Sequence, residues 1–393
     1  RDSSTSRGLG DVYKRQGLLF LHVFILSCTS GKDSITKFIS VDIQNIKEEV
    51  ELPISELTDS LEIIQLDSIL KGFIGMRIIT DHYIGIMLSD PSNFLLFNRQ
   101  GKFITSIGNE GYGPGEYQAL YHAQLDEKAQ RVYLAPYTAK QILTYDLKGR
   151  FLPKECIKLS YLSPKNYFYV DHDKKRVTVI NLPFSKEEPI AWVQDFKGNI
   201  YQKIAAKHLA LRPDYSNEIS TFRNTEAIDF SISAFFQKQQ DTLYYYDSKN
   251  NKIIPKLTLN APRQPGKIIY SYLELPLDYF IILSTIQMGN NPYTDISNTS
   301  FVQVNKKTQQ SQYVKIVNDY LGGIDFVPST LFNSFRNGYF AYPQDAMTLR
   351  EQLTEALENP DLLPEVRTRM SKLLRQLKEK DGDVMMIGKL KTE

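Results

Sequence analysis

Four histidines after residue 80 stand at intervals that invite metal chemistry: His82, His122, His172 and His208 are 40, 50 and 36 residues apart. Imidazoles delivered by successive units of a repeating fold can converge on one transition metal, which needs about three protein ligands to activate a bound water. His82 and His172 fall between strand-like runs, whereas His122 opens one. The positions are therefore not equivalent, and His122 is the single metal candidate retained. No GxSxG, HExxH or CxxC pattern is present. Paired carboxylates would leave no mark in the spacing. The Asx-rich stretch 289–299, GNNPYTDISNT, offers oxygen ligands for calcium but misses the EF-hand spacing and reads as a surface loop. The glycine-rich stretch 108–116, GNEGYGPGE, lacks both GxxxxGK[ST] and GxGxxG, and no helix-forming run follows it. Pro114 also removes an amide that a phosphate cradle would use. Its glycines read as turns between structural units, with Glu116 capping or pairing beside them.

Cysteine chemistry sits at the front of the chain. Lys14 and Arg15 precede the apolar run GLLFLHVFIL at 17–26, which is followed by Ser27, Cys28 and Thr29. Basic residues, a short apolar run and a small residue form an export leader, and ten apolar residues are too few to span a bilayer. The run ILSC resembles the lipobox of bacterial lipoproteins, which implies that Cys28 becomes the lipidated first residue of the mature protein. Thr29 in place of aspartate implies, by the same resemblance, an outer-membrane lipoprotein of the cell envelope, anchored in the membrane by that lipid. Residues 1–16 read as a stretch fused ahead of the leader, so 1–27 are excluded from the fold and 28–58 are taken as a lipidated tether leading into a strand. Cys156 is the only other cysteine; with Cys28 lipidated, no intrachain disulfide is available and packing must supply the stability. The chain has 47 basic and 45 acidic groups, of which 1–27 hold four and two. The remainder is formally neutral without basic clusters, which excludes a nucleic-acid partner.

The elements that position these residues repeat. Residues 94–103 read FLLFNRQGKF and residues 142–151 read ILTYDLKGRF; a third copy, VQDFKGNI, occupies 193–200. Asn98, Asp146 and Asp195 align, as do Gly101, Gly149 and Gly198. Each copy is a strand, an Asx-x-x-Gly turn and another strand: the Asx side chain caps the turn and glycine takes the left-handed position. Two more strand-like runs precede each copy, at 76–80 and 83–88, 120–125 and 131–135, and 167–171 and 176–180. Four short antiparallel strands per 40–50 residues describe a β-propeller blade. Residues 230–259 fit a fourth blade with Asp247 and Asn250 at its turn, and 268–316 a fifth. Runs at 324–332 and 338–342 open a sixth, which helices at 347–358 and 365–380 interrupt before a closing strand at 384–390. The orphan run 61–66 would complete that blade and close the ring between the chain ends.

The phrase FNRQGKFITSIGNEGYGPGEY at 97–117 resembles the Bacteroidetes 6-bladed beta-propeller lipoprotein family, whose NHL-like blades carry an IG-x-x-G-x-GPGE stretch. Here that stretch is Ile107, Gly108, Gly111, Gly113, Pro114, Gly115 and Glu116. The resemblance covers about residues 50–393 and implies the fold and a cell-envelope location, with no established activity. The expected fold is all-β: a six-bladed propeller over 59–393 with four-stranded blades and a helical insertion, 347–380, before the closing strand. The expected function is non-catalytic binding of a glycan, a peptide or an envelope protein. Tyrosine-rich runs at 167–170, 242–247 and 268–275 would line the channel or pack between blades. No cofactor is expected; the rival reading is a metal-assisted lyase or hydrolase with calcium or a transition metal in the central channel.

Overall fold

The computed structural model describes residues 38–46, 49–67, 70, 72–138, 140–237, 242–261, 264, 266–286, 296–377 and 382–393. Cys28 and the leader lie outside the described residues, as do 289–295 of the Asx-rich loop and 378–380 at the end of the second expected helix.

Runs rich in Ile, Val, Leu, Phe and Tyr pair as antiparallel meanders, and six of these form the blades of a propeller. The first comprises Ile74–Ile79, Tyr83–Ser89, Ser92–Asn98 and Phe103–Ser106. The second spans 120–158, the third 166–205, the fourth 218–259 and the fifth 268–318. The sixth joins Phe335–Arg336, Tyr339–Gln344 and Val384–Lys389 to Glu62–Gln65, a strand from the other end of the chain.

Each interface between neighbouring blades holds its own apolar core. Side-chain alternation explains why. In the first blade Phe94 and Leu96 join Leu134 and Tyr145 of the second, while Leu95 and Phe97 face Met385 and Ile387 of the sixth. Both sheet faces are buried, so the strands read as nearly continuous apolar runs rather than half-polar ones. The sixth blade is supported by helices Ala346–Ala356 and Pro364–Gln376, which place Leu349, Leu353, Val366 and Met370 against Phe340 and Met386. Asp345 caps the first of them by accepting the Thr348 amide at 2.8 Å.

Three segments differ from the sequence reading. Residues 39–58, taken as the end of a tether, carry two further strands: Ile39–Val41 runs parallel along Lys252–Leu259, and Glu49–Pro53 along Ser311–Asn318. They cover the outer edges of blades four and five, which a fully antiparallel ring would leave open. Residues 324–332, expected as a strand, hold only the two-residue strand Ile324–Asp325, followed by the helical turn Pro328–Leu331. Pro328 fixes a helical φ there, and the apolar spacing at 327, 331 and 335 follows a helix period. The first strand of blade four, Glu218–Ser220, was not anticipated because EIS is short and mostly polar.

The repeated turn has the same geometry in all three copies. The carboxamide of Asn98 accepts the amides of Gln100 and Lys102 at 3.0 and 2.9 Å. Asp146 accepts those of Lys148 and Arg150, and Asp195 those of Lys197 and Asn199, at 2.8–2.9 Å. The glycine has a strongly positive φ each time: +82° at Gly101, +81° at Gly149 and +93° at Gly198. It also lies against the outer strand of the preceding blade. A Cβ on Gly149 would stand 2.8 Å from the Ser106 carbonyl, and one on Gly198 3.4 Å from that of Lys158. On Gly101 it would stand 2.5 Å from the carbonyl of Gln65, in the closing strand. The motif is thus a blade-to-blade contact as well as a turn. Gly101→Ala should lower unfolding stability in urea by about 1–3 kcal/mol beyond the strain of left-handed backbone. Gly338→Ala, with φ +78° and open space around it, should show that strain alone, about 1–2 kcal/mol.

Candidate functional site

The first strand of each blade faces the propeller axis, and residues far apart in sequence meet there. Tyr121 of blade two donates its hydroxyl to Glu218 of blade four at 3.0 Å and packs edge-on against Tyr167 of blade three at 5.5 Å between ring centroids. Arg336 of blade six donates to the Thr221 carbonyl at 2.8 Å, with its guanidinium 5.1 Å from the Phe222 ring and 5.8 Å from Tyr167. Arg223 lies 4.5 Å over Tyr169, whose hydroxyl is bonded to Thr221. Arg77 of blade one, 4% exposed, donates to the Asn333 carbonyl at 3.0 Å. The axis therefore carries aromatic rings and guanidinium groups, a pairing favoured by the quadrupole of the ring.

His122 belongs to this centre but is not presented as a metal ligand. It is buried against Tyr167 and Phe168, and its Nδ1 accepts the Phe168 amide at 3.3 Å. Two residues on, the Gln124 carboxamide pairs with both the amide and the carbonyl of Val170, at 2.7 and 2.9 Å. Together they satisfy edge groups of the neighbouring inner strand, which would otherwise be buried without partners. Burial first, and then the charges of Arg336 and Arg223, hold the imidazole well below its ordinary pKa and keep it neutral.

The other histidines lie elsewhere. His82 pairs with Glu127 in exposed turns, His172 shares a hydrogen bond with the Tyr133 hydroxyl at 2.7 Å, and His208 is in a short 3-10 turn. Among the described residues no three His, Cys, Asp or Glu side chains form a group able to hold a metal ion.

The glycine-rich stretch forms the crossing from blade one to blade two. Ile107 is buried, and its carbonyl accepts the Tyr117 hydroxyl at 3.1 Å. Tyr145 donates to the Gly115 carbonyl, and the ring of Phe151 leaves no room for a Cβ on Gly115. The Glu116 carboxylate accepts the Gly113 amide at 2.7 Å, closing a turn through Pro114. A Cβ on Gly108 would meet Tyr117, and one on Gly111 the Glu116 carboxylate. All of these contacts are within the chain.

A cavity of about 240 Å³ opens beside blades four and five. Its wall combines Phe235, Tyr270 and Phe332 with Ser220, Ser233 and Ser271. Among the described residues, Glu218 is the only carboxylate on the wall. It accepts from Tyr121 and from the buried Lys165 ammonium, which also donates to the carbonyls of Tyr215 and Asn217 at 2.8 Å. Such an arrangement suits a small polar ligand with flat apolar faces.

Several of these groups were not anticipated from sequence, although Arg77 could have been: it interrupts the apolar run IGMRII, where a charge needs a special reason. Asp229 gave no such signal. It is 1% exposed and accepts the amides of Phe222 at 3.2 Å and Arg223 at 2.7 Å. Burial, reinforced by the nearby Glu274 charge, pushes its carboxyl up to about 6. An unfolded aspartate loses its proton near pH 4, so between pH 4 and 6 ionisation favours the unfolded chain. Asp229 thus withdraws about 3 kcal/mol of stability as the pH rises through that window. An asparagine at this position cannot titrate. In urea unfolding, the stability of Asp229→Asn relative to the parent should improve by up to that amount from pH 4 to pH 7; an unchanged difference would contradict the assignment.

A protein of Bacteroides fragilis NCTC 9343 described as exported has a crystal structure that aligns with a TM-score of 0.57 at 15% identity, covering 90% of this chain and all of that one. A member of the duf4221 family from Bacteroides vulgatus aligns at 10% identity with a TM-score of 0.44, covering 85% of this chain and 97% of that one. No curated protein matches the sequence. The family model described as Domain of unknown function (DUF4934) matches residues 38–389, nearly the whole propeller, and the chain belongs to that family.

Proposed function

We propose that this protein is a non-catalytic binding module of the cell envelope, and that it takes the end of a neutral glycan in the cavity beside blades four and five. The observation that carries this reading is the composition of the cavity wall. Ser220, Ser233 and Ser271 line it together with Phe235, Tyr270 and Phe332. Sugar hydroxyls exchange hydrogen bonds with such serines, while the C–H face of a sugar ring packs on an aromatic ring. A peptide would bring charged ends or backbone amides that need directional partners. The Glu218 carboxylate on the wall is already engaged by Lys165 and Tyr121. Rigid blades hold the wall in place, so little ordering cost is added on binding.

Placement in the envelope is supported by Lys14, Arg15 and the apolar run that ends before Ser27 and Cys28. A protein of the same fold described as exported is consistent with it. The lipid on Cys28 would anchor the protein at the outer membrane.

Two measurements test the reading. Isothermal titration with neutral trisaccharides should detect binding to the parent, and Ser271→Leu, which fills the cavity with carbon, should weaken it at least tenfold. Binding that survives this change unaltered, or no binding by any of them, would reject the glycan site. In cells fed labelled palmitate, Cys28→Ser should abolish lipid incorporation and release the protein from membranes; undiminished label would reject the anchor.

A further inference from the structure

The three axial arginines lack the partners that buried or half-buried cations require. Arg77 is 4% exposed; it gives one hydrogen bond, to the Asn333 carbonyl, and its Nε is buried with no hydrogen-bond partner. The Arg336 side chain donates to the Thr221 carbonyl and meets the Tyr167 phenol, both of them neutral groups. The Arg223 side chain makes a stacking contact with Tyr169 and no hydrogen bond among the described residues. None of the three is within salt-bridge distance of a carboxylate among those residues.

The carboxylates nearby are engaged elsewhere. Asp229 accepts the backbone amides of Phe222 and Arg223. Glu274 is held by Lys306 at 2.6 Å, by Tyr245 and by Thr225 at 3.3 Å. Glu218 is held by Lys165 and Tyr121.

Like charges gathered in a low-dielectric centre repel, and each guanidinium retains several donors with nothing to receive them. The repulsion is felt: burial, and then the charge of Arg336, lowers Arg77 to about 10. Aromatic rings flank the other two: the Arg223 guanidinium lies 4.5 Å from the Tyr169 ring centre and that of Arg336 5.1 Å from the Phe222 ring centre, and both side chains are partly reached by solvent.

We infer that Arg223 and Arg336, backed by the charge of Arg77, form a binding site in the channel for the oxyanion of a small acidic ligand. Forked guanidinium donors match the paired oxygens of a carboxylate or a phosphate. The bound anion would neutralise the excess charge and receive the idle donors, so it should stabilise the folded ring. None of these arginines lines the hydroxyl-walled cavity, so this site does not depend on the glycan reading.

The test is thermal unfolding of the whole chain in citrate, inorganic phosphate or sulfate, each compared with sodium chloride at equal ionic strength, followed by titration calorimetry. At least one of the three should raise the unfolding temperature in a saturable way. A response to citrate alone assigns a carboxylate ligand, and a response to phosphate or sulfate assigns the tetrahedral oxyanion. Arg223→Gln is the informative variant because its side chain makes no hydrogen bond that the fold would lose; it should weaken binding about tenfold or more. Arg336→Lys keeps the charge without the fork and should weaken it less. Arg369→Gln, remote from the axis beside Tyr320, should bind as the parent does. The inference fails if no anion stabilises the parent beyond chloride, if Arg223→Gln binds unchanged, or if Arg369→Gln loses as much affinity as Arg223→Gln.

Discussion

A ring of blades is tied shut when its last member is completed from the chain's other end, and here that task falls to four residues. Glu62–Gln65 pairs antiparallel with Val384–Lys389, setting Ile63 opposite Met386 and Ile64 opposite Met385. Everything else inherits its position from this closure. Met385 and Ile387 belong to the apolar core shared with blade one, so the closing strand also sets the spacing between blades six and one. The Gly101 turn then rests on the Gln65 carbonyl, and the same contact passes to Gly149 and Gly198 along the repeat. A propeller has little other means of registering one blade against the next, because the interfaces themselves are apolar and non-directional. The chain applies the same edge protection twice more before it reaches the closing strand, laying Ile39–Val41 and Glu49–Pro53 along blades four and five.

The inner edges pose the opposite problem, since the first strand of each blade has backbone groups that face the axis with no further strand to receive them. Side chains from neighbouring blades fill the gap. His122 and Gln124 serve Phe168 and Val170, Arg336 serves Thr221, and Asn224 reaches the carbonyls of Glu274 and Phe335 at 3.0 and 3.3 Å. Buried polar groups of this kind are structural first. Their neutrality or charge nonetheless shapes the channel: a neutral imidazole adds no further positive charge beside the arginines, and Asp229 accepts the amides of its own turn. The positive character of the centre is thus a by-product of satisfying inner strands, which a ligand can then exploit.

The periodic parts of the fold were legible because local chemistry repeats there. Asn98, Asp146 and Asp195, each with a glycine three residues on, announce a turn wherever they occur, and the flanking apolar runs are long enough to be strands. The ring closure could be read from an orphan strand at each end. Legibility ended where elements were short or polar. Glu218–Ser220 is three residues long, and Phe335–Arg336 is two; their pairing is imposed by neighbours rather than by propensity. The helical turn at Pro328–Leu331 was hidden in a run whose apolar content suits either period. Among site residues, the histidines were conspicuous by rarity, yet their environment makes them latches or turn residues. Arg223 and Arg336 were inconspicuous among 47 basic groups, and only the topology brings positions 77, 223 and 336 together.

Net charge illustrates the same limit. A chain that is formally neutral beyond its leader offers no hint of a cationic centre, because composition averages over a surface while a propeller sorts residues by strand order. Acidic groups at the repeated turns, such as Asp146 and Asp195, are used up in capping at the outer part of each blade. Arg336 ends a two-residue inner strand, and Arg223 lies just past the end of another, Glu218–Ser220. Strand order therefore brings these arginines to the axis even though the charges balance in number. The tyrosines follow the same sorting. Those at 167 and 169 share one face of an inner strand and carry the guanidinium groups, whereas Tyr133 and Tyr145 lie in second and third strands within apolar inter-blade cores. The position of a residue within the four-strand unit, more than its type, decides whether it packs, caps or meets a ligand.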